Sequence, residues 1–94
     1  MSRTSSDIAR GIVSKAVVLV EDVPVRGVTH DSRKVEKGFV FVAVDGALFD
    51  GHRFIEQAIE AGAVLVIGSN ADALATAPNR ILVEDPRKVL PLVA

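Results

Sequence analysis

Two short stretches concentrate the residues able to do chemistry. The first is "THDSRKVEKG", Thr29 to Gly38, which runs directly into the apolar "FVFVAV". Within it, Ser32 offers a hydroxyl that both donates and accepts. Arg33 offers a planar fork suited to a carboxylate or phosphate. Asp31 can orient Arg33, cap a turn or accept from a ligand N–H, and His30 stands beside it. The second stretch is "DGALFDGHR", Asp45 to Arg53. Gly46 and Gly51 let backbone pass close to a ligand or turn through positive φ. His52 and Arg53 fall in the first turn of a predicted helix, where cations oppose the helix dipole. A bound anion would relieve that conflict, because the free amides of a helix start favour negative charge. Each stretch also has a plainer reading. The first can be an Asx-type turn closed by an Arg–Asp pair. The second can be a capped turn with two solvated basic residues. Neither has the glycine spacing of a dinucleotide fingerprint or of a G-x-x-x-x-G-K-[ST] phosphate loop. His30, Asp31 and Ser32 are chain neighbours, which rarely gives triad geometry, so nucleophilic catalysis is not indicated.

The elements that must position these stretches follow from periodicity. Ser5 or Ser6 is placed to cap a helix through "DIARGIVSKA", with Ile8, Ile12 and Val13 on one side. "AVVLV" then reads as a buried strand, and "VRGVT" (Val25 to Thr29) as a second one. "FVFVAV" (Phe39 to Val44) is apolar on both faces, as in a strand covered on both sides. In "DGHRFIEQAIEAGA", Asp50 is a good N-cap and Phe54, Ile55, Ala58 and Ile59 share one helical face. Glu56, Gln57 and Glu60 take the other, and Gly62 is placed to end the helix in a left-handed conformation. "AVLVI" (Ala63 to Ile67) completes a βαβ unit. "GSNADALATAPNR" is a connection with room for one or two helical turns, and "ILV" (Ile81 to Val83) is a short strand. Asp85 caps a last helix that opens on Pro86 and is shortened or kinked by Pro91. The expected fold is α/β: a small, mostly parallel or mixed sheet flanked by helices. In such sheets ligands bind beyond the carboxyl ends of the strands, which is where both polar stretches lie.

Bulk properties narrow the function. The chain has 94 residues, one domain by length, and 49% of them are hydrophobic. Eleven basic residues against twelve acidic ones give a net charge of −1, which argues against a general nucleic-acid binder. With no cysteine and two histidines, neither a disulfide nor a metal site is expected. The stretch "GIVSKAVVLV" is short and carries Lys15, so neither a signal sequence nor a membrane span is indicated. A cytoplasmic protein is the expectation.

The segments "DSRKVEKGFVFVAVDG", "FDGHRFIEQAIEAGAVLVI" and "ILVEDPRKVLPLVA" together resemble the N-terminal domain of the Mur ligases, from about Val25 to Ala94. The ending "VEDPRKVLPLVA" favours the members that add the third residue to UDP-N-acetylmuramoyl-L-alanyl-D-glutamate. Those that add D-alanyl-D-alanine share much of the pattern. The resemblance implies that residues 1–94 form one domain that holds the UDP part of UDP-N-acetylmuramoyl-dipeptide. It places Ser32 and His30 at the nucleotide, with Gly46, Ala47, Leu48 and Phe49 supplying the rest. Phe49 would lie against uracil or ribose, and Asp31, Arg33, Asp50 and His52 would stand behind these contacts. ATP and Mg²⁺ would belong to a central domain and the incoming amino acid to a C-terminal one, neither of them within these residues. The 94 residues alone are then expected to be inactive, with no cofactor of their own. A non-catalytic module on the same fold, using "ALF" to bind a protein partner, is the alternative.

One tension accompanies this expectation. A shared site needs the two loops at one edge of the sheet, yet Asp31 to Gly38 is shorter than a usual parallel crossover. Antiparallel neighbours would send the loops to opposite edges. The strands are therefore expected not to form a simple hairpin, or the loop to fold back.

Overall fold

The computed structural model describes residues 3–44 and 51–93, with side chains described for 3–44 and 53–89. Four consecutive parallel strands form its centre: β4 (Gly27–Thr29), β5 (Phe39–Val42), β6 (Leu65–Gly68) and β7 (Arg80–Leu82). β2 (Ala16–Val18) joins antiparallel to β7, so the sheet order is β2-β7-β6-β5-β4. Two residues of β1 (Arg3–Thr4) pair separately with β3 (Pro24–Val25).

Alternation along the strands builds two cores. Val40, Val42, Leu65, Ile67 and Ile81 point to one face, where Ile8 and Val89 pack. These last two come from α1 (Ser5–Arg10) and α4 (Pro86–Val93). Phe41, Ala43 and Val66 point to the other face, against Ile55, Ala58, Ala73 and Leu74. Those come from α2 (Gly51–Ala61) and α3 (Ala71–Leu74). The result is three layers, which explains why β5 and β6 are apolar at every position.

The crossover from β4 to β5 resolves the tension over strand direction. The strands are adjacent and parallel, with Val28 opposite Val40. The chain makes the return in residues 30–38 by tightening into a 3₁₀ turn at Ser32–Lys34. Val35 then drops into the core beside Ile55 and Ala58. Gly38 has φ of 90°, a left-handed value that turns the chain into β5. Its N–H donates to the carbonyl of Gly62 at 3.0 Å.

Gly62 ends α2 with φ of 115°, as its position suggests. A Cβ there would lie 2.6 Å from the Cα of Lys37, so the close approach also requires glycine. Pro86 begins α4, and Asp85 Oδ1 accepts from the N–H of Arg87 at 3.1 Å, as a cap should. That helix runs eight residues and continues two beyond Pro91.

Several expectations need correction. The first helix is capped by Thr4, not by Ser5 or Ser6: Thr4 Oγ1 accepts from the N–H of Asp7, whose carboxylate accepts from the N–H of Thr4. This reciprocal box leaves Ser5 free to bond elsewhere. The helix stops at Arg10, so Ile12 is buried beyond it while Val13 is 95% exposed. "AVVLV" is not a buried strand. β2 is an edge strand with Ala16, Val17 and Val18 all exposed. An apolar run of five cannot reveal whether a further layer covers it. Val25 to Thr29 is not one strand either: Pro24–Val25 pairs with β1 and Gly27–Thr29 with β5.

Candidate functional site

The carboxyl ends of β4 and β5 point the same way, so the loops that follow them leave from one edge. After β4, Thr29 Oγ1 accepts from the N–H of Asp31 at 3.1 Å, which starts the turn. Asp31 caps the 3₁₀ turn by accepting from the N–H of Arg33 at 3.0 Å. The same carboxylate takes Nε and Nη2 of Arg33, both at 3.1 Å. This is the locally closed Asp–Arg pair that the residue types permit. The Arg33 guanidinium holds the Asp31 carboxyl below its usual value, helped by the backbone N–H of Arg33, and Asp31 in turn raises Arg33. Arg33 is thus engaged by Asp31, although its side chain is 87% exposed.

Ser32 is placed differently. Its side chain is buried against α2, where the hydroxyl donates to Oε1 of Gln57 at 3.5 Å. His30 is exposed at the mouth of the turn. The turn therefore presents His30 outward and Ser32 inward, with Asp31 and Arg33 bonded to each other. Gln57 was visible in the sequence only as part of a polar helix face. Its contact with Ser32 depends on how the 3₁₀ turn packs, which spacing does not encode.

The loop after β5 carries the second group of expected residues. Gly46, Ala47, Leu48, Phe49 and Asp50 lie outside the described residues, and so does the side chain of His52. β5 ends at Val42, and Ala43 still donates to Ile67 O at 2.7 Å, so Val44 is held at the edge where that loop departs. α2 begins at Gly51, which puts His52 and Arg53 in its first turn as expected, with Arg53 exposed.

A cleft of about 660 Å³ opens at the same edge, on the face covered by α1 and α4. Val44, Ser69 and Val83 line it from the strand ends, and Asp85, Arg87 and Lys88 from the start of α4. Asp85 both caps α4 and faces Nε of Arg87 at 3.8 Å. Among the described residues no group of His, Cys, Asp and Glu is arranged to hold a metal. No helix among them is long and apolar enough to cross a membrane.

With this geometry in place, comparison with known proteins decides the family. The model of the Mur ligase family, catalytic domain, matches residues 24–94. This chain belongs to the Mur ligase family. It is 42% identical over 74 residues to the UDP-N-acetylmuramoyl-L-alanyl-D-glutamate–2,6-diaminopimelate ligase of Brucella melitensis, covering 78% of this chain and 15% of that one. It is 51% identical over 57 residues to the UDP-N-acetylmuramyl-tripeptide synthetase of Deinococcus radiodurans, covering 61% and 12%. The chain thus spans about a seventh of the length of the curated relatives it matches. Among solved structures, the fold matches MurF of Acinetobacter baumannii with a TM-score of 0.72 at 22% identity, over 96% of this chain and 20% of that one. It also matches MurF of Thermotoga maritima, solved with ADP, at a TM-score of 0.58 and 37% identity over 69% of this chain and 15% of that one. Relatives named as diaminopimelate ligases and structures named as MurF both appear, so the comparisons give the family and not one member of it.

Proposed function

We propose that these 94 residues are the N-terminal domain of an ATP-dependent ligase of peptidoglycan precursor synthesis, and that the domain binds the UDP moiety of UDP-N-acetylmuramoyl-L-Ala-D-Glu. The reading draws on one observation above all. β4 and β5 are adjacent and parallel, so the turn at 30–33 and the loop at 45–50 leave from one edge of the sheet. A nucleotide lying along that edge can meet both. Ser32 and His30 contact the nucleotide from the turn, and Gly46, Ala47, Leu48 and Phe49 from the loop. Asp31 and Arg33 hold the shape of the turn through their own pair.

The third-residue step is favoured by relatives such as those of Brucella melitensis and Deinococcus radiodurans. The D-alanyl-D-alanine step is the second reading, favoured by the 37% identity to the Thermotoga maritima MurF. ATP and Mg²⁺ do not fit the residues present: no G-x-x-x-x-G-K-[ST] occurs in the sequence, and no carboxylate cluster occurs among the described residues. They are expected on the central domain of a full-length, cytoplasmic enzyme. These residues alone bind substrate without ligating it.

Amide NMR titration of the 94-residue chain tests the reading, first with UDP and then with UDP-N-acetylmuramoyl-dipeptide. Shifts grouped at residues 30–33 and 46–52 are the expected result. No shifts at millimolar ligand, or shifts confined to the exposed edge strand β2, would overturn it.

A further inference from the structure

The Ser32 hydroxyl has one proton and two lone pairs. In this structure the proton goes to Oε1 of Gln57 at 3.5 Å. Ser32 is buried, and the turn that carries it is pinned to α2 by Val35 packing against Ile55 and Ala58. While that bond is kept, the proton is not available to a ligand. What it has left to offer a ligand is an acceptor.

That restriction has chemical content if the site takes UDP, the reading on which this inference rests. At pH 8 the diphosphate carries no proton and cannot donate. The donors of UDP are then the uracil N3–H and the two ribose hydroxyls. We propose that Gln57 is a positioning residue that holds the Ser32 proton, so that Ser32 accepts a hydrogen bond from the nucleoside half of UDP and reads that half rather than the diphosphate.

The test measures binding of UDP, N3-methyl-UDP and 2′,3′-dideoxy-UDP to the 94-residue chain at pH 8. The chains compared are wild type, Ser32→Ala, Gln57→Met and Gln57→Glu. Wild type should prefer UDP over one of the two analogues by about three- to ten-fold, the net worth of one hydrogen bond. N3-methyl-UDP losing affinity identifies the uracil imide as the donor, and dideoxy-UDP the ribose. Ser32→Ala should abolish the preference, and Gln57→Met should reduce it, because a Ser32 freed from Gln57 can donate as well as accept. Gln57→Glu should keep it, because a carboxylate still accepts the Ser32 proton. The preference is a ratio within each variant, so it is insensitive to the charge that Gln57→Glu adds and to any loss of stability. A purely structural Gln57 would change overall affinity and leave the ratio alone. Wild type binding UDP with no preference overturns the inference and leaves UDP binding standing. So does a preference kept in full by Gln57→Met or lost by Gln57→Glu. No UDP binding at all removes both.

Discussion

The two edges of the parallel sheet use buried polar side chains in opposite ways. At the amino edge, before β6 and β7, Asn79 is 8% exposed and fully committed. Its Oδ1 accepts from the N–H groups of Val20 and Glu21 at 2.8 and 3.2 Å, and its Nδ2 donates to the carbonyls of Glu21 and Val64 at 3.2 and 3.0 Å. An amide has two lone pairs on oxygen and two protons on nitrogen, so nothing remains for a ligand. At the carboxyl edge, Ser32 is buried to the same degree but makes one long bond to Gln57 and keeps its lone pairs. A buried polar group with its capacity filled ties strands and loops together. One with capacity left over, at the edge where the loops gather, is available for binding.

Substitutions at the two edges sharpen this contrast. Asn79→Ala should have the largest effect on stability, about 2–4 kcal/mol by urea denaturation, because it strands buried backbone groups that Asn79 satisfies. UDP affinity extrapolated to the folded state should not change. A loss of affinity with intact stability would break the comparison. Gly62→Ala should cost about 2 kcal/mol by the same measurement, since alanine is strained at φ of 115° and its Cβ meets the Lys37 backbone. Ser32→Ala should reverse the pattern. Its stability loss should stay under about 1 kcal/mol, while UDP binding weakens by about 0.5–1.5 kcal/mol; unchanged affinity would remove Ser32 from the site.

The smallest effect is that of pH. The backbone N–H of Ser6 holds the Asp22 carboxyl below its usual value of 3.8, and Thr4 and Arg10 do the same for Asp7. Arg33 does so for Asp31. Groups with lowered folded values stabilise the protein above the ordinary carboxylate range and lose that contribution as pH falls through the folded value. Thermal stability should therefore hold from pH 7 to about 5 and decline below about 4. An Asp31→Asn variant should still decline, because Asp7 and Asp22 remain. Disappearance of the acid limb in that variant would mean that the carboxyl-edge pair dominates the titration.

Much of the fold was legible because its signals are local. The face of Phe54, Ile55, Ala58 and Ile59, the stop at Gly62 and the start at Pro86 each rest on residues within one or two turns. What was not legible depends on layers. The run at β2 is as apolar as β6, yet Leu65 to Gly68 are buried and Ala16 to Val18 are exposed. The difference is that β6 lies between two strands and two helical layers, whereas β2 borders only β7. At the site, Ser32 and its neighbours stood out by residue type alone. Which of them face outward did not, because Asp31 and Arg33 satisfy each other and the 3₁₀ turn directs Ser32 toward α2. Gln57 was hidden for the same reason, as one polar residue among several on its helix.

The strand order also bears on how the chain assembles. Each parallel pairing joins segments close in sequence: Gly27 meets Phe39, Val40 meets Leu65, and Val66 meets Arg80. β2 must wait for a partner 62 residues away, where Val18 meets Arg80. By loop-closure entropy, joining those ends costs about 1.4 kcal/mol more than the 12-residue closure from Gly27 to Phe39. The four parallel strands can therefore zip from neighbour to neighbour, with β2 added last and released first. Amide hydrogens of residues 16–18 should exchange with solvent well ahead of those in β5 and β6. The domain would then lose one margin of its sheet while the edge that carries Ser32 stays assembled.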